Sequence, residues 1–225
     1  RPHFVSKNSS IIENQKKIGK INEIKIYISI GNLFSSKNIN INEVILDNTN
    51  FEINNSNYNF FTKILDNNFL NVNFKIKDSN IFFRNKEEEV LFINKIKNLK
   101  YYYDKNEFKN ILYSENEIFN TPFSLEIINH KEEKKLGTKL NLRSIGLKIE
   151  NMHNYDDEIK SGSTTIQLKK NKSFLNYKSI KNLFEFSYYN DLEKKKFLYN
   201  GKLNFNPFYS NLDLSLIHIS EPTRH

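Results

Sequence analysis

Every second residue from Ile24 to Ile30 is isoleucine, with Lys25, Tyr27 and Ser29 between, and Leu70, Val72, Phe74 and Ile76 alternate as regularly with Asn71, Asn73, Lys75 and Lys77. A period of two belongs to a strand with one buried and one wet face, which argues against a helix in either segment. Further runs of strand composition follow at Ile81–Arg84, Val90–Ile96, Leu99–Asp104, Phe108–Tyr113, Phe123–Ile128 and Leu140–Ile149, then at Thr164–Leu168, Phe174–Tyr177, Leu183–Tyr189, Phe197–Phe205 and from Leu212. Between Ile39 and Ile53 the phase slips at Val44, Ile45 and Leu46, which reads as a bulge or a fully buried stretch, and Asp47–Asn50 reads as a break. With 6 Gly and 4 Pro, the turns fall to Asn, Asp and Ser, as at Asp78–Asn80. Closely spaced strands predict an antiparallel meander, because parallel neighbours need crossovers of a dozen residues or more. Only Phe60, Phe61, Ile64 and Leu65 have helical spacing, in a short amphipathic helix placed to plug the end of a sheet.

The expected fold is therefore mainly β, a long antiparallel meander with one or two short helices. A sheet with one greasy face and few helices to cover it must close, pack on a second sheet, or curl into an open, taco-like groove. The 38% hydrophobic content, with 19 Phe and 12 Tyr, supplies a core. Codons rich in A and T account for much of the Asn, Lys and Ile, which weakens the net charge of +8 as a sign of an anionic partner. The cations alternate with Asn and Glu along strands instead of gathering on one face, so nucleic acid is not the expected partner. The absence of Cys excludes disulfides, thiolate metal sites and a cysteine nucleophile.

No stretch has the apolar length of a membrane-spanning helix, and Arg1-Pro2-His3 opens without an apolar leader, so the natural N-terminus is expected to lie upstream. The texture changes after Asn211, and Leu214 to Arg224, LSLIHISEPTR, resembles a translated sequencing adapter. The organisation read from the sequence is thus a β-rich fragment, residues 1–213, and a non-native tail, residues 214–225. His218 and Glu221 are accordingly given no role.

No constellation of side chains points to catalysis, a metal or a cofactor. His3, His130, His153, His218 and His225 are scattered without a short ligand spacing. Asp156, Asp157 and Glu158 near His153 read as an acidic hairpin loop, lacking the spaced oxygens and turn glycine of a calcium loop. Ser161-Gly162-Ser163-Thr164-Thr165 lacks the lysine ending of a phosphate loop and reads as a tight turn entering a strand. Glu87, Glu88 and Glu89 read as a solvated turn, and Tyr101, Tyr102 and Tyr103 as a sheet ladder, not a base-stacking platform.

Three blocks carry a family resemblance. They are Ile30-Gly31-Asn32-Leu33-Phe34 leading to Ile39, Ile41, Val44, Leu46-Asp47 and Phe51; Phe69 to Phe83 with Val90 to Ile96, containing FKIKDSNIFFRNKEEEVLFINKI; and Tyr199-Asn200-Gly201-Lys202-Leu203-Asn204-Phe205-Asn206-Pro207-Phe208. Over roughly Ile21 to Leu214 the chain resembles the AsmA-like family of envelope proteins, the AsmA, TamB and YhdP type. The resemblance implies a periplasmic segment of a parent protein anchored in the inner membrane. Its sheet would present an apolar groove to phospholipid, or another apolar ligand, moving toward the outer membrane, without enzymatic activity or a cofactor. Strand parity nominates Ile24, Ile26, Ile28, Leu70, Val72, Phe74 and Ile76 as the lining. The alternative is a self-contained β-sandwich or solenoid that binds protein or glycan with its apolar faces packed together.

Overall fold

A computed structural model describes residues 1–33, 39–61, 72–130, 132–155, 159–180, 183–190, 196–206 and 209–217. The fold is mainly β, and the strands form an open sheet in chain order that is not closed into a barrel. Two compact units divide the chain, Arg1–Glu126 and Ile127–His225.

The first unit contains β1 (His3–Glu13), β2 (Lys16–Ile28), β3 (Ile41–Ile53), β4 (Asn73–Arg84), β5 (Val90–Asp104) and β6 (Lys109–Ile118). β7 (Thr121–His130) spans the boundary. The second holds β8 (Lys135–Leu142), β9 (Leu147–Tyr155), β10 (Ile159–Leu168), β11 (Asn171–Ile180), β12 (Leu183–Asn190), β13 (Lys196–Asn206) and β14 (Tyr209–Ile217). β14 includes Leu214 to Ile217 of the adapter-like tail, in register with Gly201 to Leu198 of β13, whereas His218, Glu221 and the rest of the tail lie outside the described residues.

The sheet is mixed, which corrects the all-antiparallel expectation: β3 and β4 are parallel. Their connection, residues 54–72, is long enough for a crossover. It starts with helical residues 58–61, the beginning of the expected amphipathic helix, while Ile64 and Leu65 lie outside the described residues. The Asn54 side-chain oxygen accepts the N–H groups of Ser56 at 3.0 Å and Asn57 at 3.2 Å, an Asx turn that reverses the chain as it leaves β3. A second short helical turn runs from Ile30 to Leu33.

With so few glycines, the chain turns on left-handed residues of other types. Asn14 and Gln15, both at positive φ, make the two-residue β1–β2 hairpin, and Phe119 and Asn120 do the same between Ile118 and Thr121. The single strand expected over Leu140–Ile149 is instead two strands. Leu142 faces Leu147 across a loop that ends at Gly146, whose φ of 68° is available to glycine at little cost.

Among the described residues, three left-handed ones lie inside strands. Asn8 (φ 54°), Asn48 (φ 51°) and Asp78 (φ 43°) occupy one row of β1, β3 and β4, with Asn22 of β2 between Asn8 and Asn48. Lys97 of β5 continues the row, and β6 has no matching residue, so the β5–β6 register shifts between Ile96 and Asn98. The segments read as turns at Asp47–Asn50 and Asp78–Asn80 are thus a crease through continuous strands. The crease reverses parity. Leu46 and Phe51 are five residues apart, as are Ile76 and Ile81, yet all four belong to one core cluster, although odd spacings in a plain strand point to opposite faces.

That cluster, Ile21, Leu46, Phe51, Ile76 and Ile96, is the centre of unit 1. Phe61 from the helical turn packs on it and meets Phe51 edge to face with ring centres 6.1 Å apart. Where the two sides of the crease converge, the fully buried side chains are small: Thr49, Ser79 and Ser114. The Ser79 hydroxyl accepts the Thr49 N–H at 2.9 Å and donates to the Lys77 carbonyl at 2.6 Å.

Candidate functional site

The nominated lining residues lie on the strands that the alternation marked, and the structure brings part of the set together. Ile24, Phe74 and Ile76 belong to, or pack against, the unit 1 cluster. Ile26 is half-buried and Ile28 buried, Val72 immediately precedes β4, and Leu70 lies outside the described residues. Register extends these positions into two rows across β1 to β6. One runs Phe4, Ile26, Val44, Phe74, Tyr101, Leu112; the next runs Ser6, Ile24, Leu46, Ile76, Leu99, Ser114. Sequence reading missed Ile21, Phe51 and Ile96 as members of this face because the crease changes their parity, and Leu46 and Leu99 because only register with Ile24 and Ile76 places them there.

The face is open at one side and dry in the middle. Phe4 is 59% exposed, whereas Tyr101 and Leu112 in the same row are 6% and 7% exposed, and Ile21 and Ile96 at the crease are each 3% exposed. Burying a side chain of this size is worth about 1.5–3 kcal/mol. The accessible part of this face is its rim, exposed Phe4 with half-buried Ile24, Ile26, Val44 and Phe74, and not the filled floor.

The opposite face is charged around a few buried isoleucines, Ile45 standing in the row between Lys25 and Lys75. Glu23 and Lys25 form an ion pair at 2.5 Å, Glu43 pairs with Lys75, and Lys95 with Glu117 at 2.9 Å. The Lys25 ammonium, hydrogen-bonded to Glu23, holds that carboxyl below its ordinary range. Such half-exposed pairs near solvent add little stability.

At the end of β3 and β4, an open polar cleft of about 400 Å³ is lined by residues including Glu13, Lys16, Lys17, Glu52, Arg84 and Glu88. Its opposite charges are balanced, and Arg84 is already engaged by Glu52 at 2.5 Å and by the Glu88 carbonyl at 2.6 Å. Glu87, Glu88 and Glu89 lie in the exposed β4–β5 loop. Tyr101, Tyr102 and Tyr103 alternate within β5, His130 ends β7, and His3 stacks on Tyr27 with ring centres 4.9 Å apart. Among the described residues no group of His, Asp and Glu could hold a metal ion, and no helix is long and apolar enough to cross a membrane. Asp156, Asp157 and Glu158 lie outside the described residues.

The second unit carries a polar cluster that sequence reading missed. Gly162 is not in a turn but in the middle of β10, opposite His153 of β9 and Tyr177 of β11. A Cβ at Gly162 would lie 2.4 Å from the Tyr177 hydroxyl and 2.5 Å from the Met152 carbonyl oxygen, so only glycine lets the phenol lie flat across β10. The Tyr177 hydroxyl is 3.0 Å from His153 Nδ1, and the rings lie nearly parallel at 17°. Asn151 donates from its amide nitrogen to Thr164 Oγ1 at 2.7 Å and to the Tyr177 hydroxyl at 3.0 Å. Burial, assisted by the charge of Lys160, lowers the His153 pKa, so the imidazole is neutral at pH 7. On the same face, Leu136, Leu140, Ile149, Ile166 and Leu175 are half-buried.

No protein-family model and no curated protein matches the chain.

Proposed function

We propose that this chain is a non-enzymatic segment of an envelope-biogenesis protein whose apolar β-face guides or scaffolds phospholipid between inner and outer membrane. In this reading it lies in the periplasm, within a parent protein anchored in the inner membrane. The observation that carries the proposal is the pair of apolar rows crossing the strands of unit 1 behind a charged opposite face, with the rows half-open on the β1 side. Acyl methylenes laid on that rim gain about 0.8 kcal/mol each as they leave water, so no single polar contact is needed to hold them. Headgroups remain at the wet margin. A sandwich or solenoid would instead bring together strands that are not ladder partners, whereas among the described residues of each unit the contacts run chiefly between ladder neighbours.

Phe74 is the residue to test, because it stands on the rim and not in the floor. Purified chain mixed with phosphatidylethanolamine vesicles and re-isolated by gel filtration should carry phospholipid. Phe74→Asp should reduce the load at least tenfold while circular dichroism still reports strand. A folded Phe74→Asp protein with an undiminished load would refute the groove.

A further inference from the structure

We propose that the tips of the β8–β9 and β10–β11 hairpins of unit 2 form a docking surface for an anionic lipid bilayer, with Arg143, Lys169, Lys170 and Lys172 on its phosphate groups and Ile145 and Leu168 in its interfacial layer. Register brings the two tips together. Leu142 faces Leu147, Leu147 faces Leu168 and Leu168 faces Asn171, so both turns stand at one end of the unit. The Lys169 N–H donates to the Gly146 carbonyl at 2.8 Å and ties one turn to the other. The inference goes beyond the lipid-guiding reading and does not require it, since a bilayer can be bound without lipid being taken from it.

Charge selects the partner. From Lys134 to Ile149 and from Ile159 to Phe184 the sequence contains no Asp or Glu, although these make 26 of the 225 residues, and a codon bias toward lysine does not by itself exclude them. In unit 1 the strands set carboxylates beside their lysines, as Glu23 beside Lys25 and Glu117 beside Lys95. Arg143, Lys169, Lys170 and Lys172 are exposed, and none of them is ion-paired among the described residues. Exposed Ile145 and Leu168 stand among them. A soluble polyanion would leave these two aliphatic side chains in water, whereas a bilayer takes the cations at its phosphates and the aliphatic side chains at its acyl boundary. Leu168 also ends an apolar run. It keeps the parity of Ile166, as Leu142 and Leu147 keep that of Leu140 and Ile149, so the half-buried face of unit 2 runs out to the tip. Docking there sets the end of that face against the bilayer.

The test uses the full chain and flotation with two sets of vesicles, phosphatidylcholine alone and phosphatidylcholine with phosphatidylglycerol in equal parts. The chain should float with the anionic vesicles and stay behind with the neutral ones. Each cation near an anionic surface strengthens binding about fivefold, so Lys169→Asn combined with Lys170→Gln should weaken it about twentyfold. Asparagine suits the left-handed φ of 55° at position 169, which keeps this variant folded. Lys16→Gln combined with Lys17→Gln removes the same charge from exposed positions after the β1–β2 turn, and should float as the parent does. Ile145→Ser combined with Leu168→Ser should weaken flotation about three- to tenfold, the part of the binding that only an apolar layer supplies. Equal flotation with both vesicle sets, flotation of the Lys169→Asn, Lys170→Gln variant at the parent's level, or an equal loss in the Lys16→Gln, Lys17→Gln variant overturns the docking surface. So does a chain that binds a single-stranded oligonucleotide and floats with neither vesicle set. Phospholipid load after gel filtration is a separate readout, so a chain that docks without loading refutes the lipid-guiding reading alone.

Discussion

The two units use the same alternation of apolar and polar residues and obtain different cores from it. Every apolar residue that is more than nine-tenths buried among the described residues lies between Ile18 and Leu112, in unit 1. In unit 2 the ladders joining β8, β9, β10 and β11 run without a break, and Leu140, Ile149, Ile166 and Leu175 are only half-buried. The difference is the crease. Left-handed Asn8, Asn48 and Asp78 reverse parity at one level of adjacent strands, so apolar residues on both sides of that level converge. β2 and β5 make the same reversal at Asn22 and Lys97 without a left-handed residue, bringing Ile21 and Ile24, and Ile96 and Leu99, to one cluster. The convergence comes from one extra residue in each of β1 to β5, placed in register.

The sharpest test compares one charge in each setting. Ile76→Asp puts a carboxylate into the dry floor, where Ile76 is 8% exposed, and should cost about 4 kcal/mol or more and unfold unit 1. Ile166→Asp, on the half-buried face of unit 2, should cost about half as much. Urea titrations of both variants measure the contrast, and equal losses would break the distinction between a filled and an open face.

The crease itself is tested at Asp78. A β-branched residue there meets the steric penalty of left-handed backbone and glycine does not, so Asp78→Val should destabilise by about 1–2 kcal/mol while Asp78→Gly stays within about 0.5 kcal/mol of the parent. If thermal melts find Val no worse than Gly, the left-handed geometry of this row does not shape unit 1.

The regions also differ in how much of them the sequence reveals. The alternation Phe74, Ile76 against Lys75, Lys77 marks β4 and its apolar face directly, but Asp78 carries the same chemical signal whether the chain reverses or creases. Only the partners Asn48 and Asn8, aligned by register, separate the two cases. β1 went unread because Ser6, Lys7, Asn8, Ser9 and Ser10 carry no apolar alternation, as suits a strand exposed along most of its length. The parallel β3–β4 pair was hidden although its connecting helix was read, since helical spacing at Phe60 and Phe61 does not state that the next strand returns in the same direction. The polar cluster of unit 2 was least legible. His153 and Tyr177 lie 24 residues apart on strands that are not adjacent, and the one local hint was Gly162 within a strand-like run.

The smallest effect expected is a pH dependence confined to unit 2. Burial disfavours the charged imidazole of His153 and so lowers its pKa below that of the unfolded chain, with Lys160 acting in the same direction. As pH falls through the ordinary histidine range near 6.5, the unfolded chain takes up a proton before the folded one, and unit 2 loses stability. Once pH is below the folded-state pKa as well, both states are protonated and the loss levels off. Melting of the chain at pH 7.5 and pH 5 should therefore find the transition of unit 2 lowered at the acidic value. His153→Phe removes the titrating group and keeps a ring beside Tyr177, so it should remove the part of the shift that His153 supplies. A shift of unchanged size in that variant would assign the dependence to the exposed carboxylates and sever it from His153.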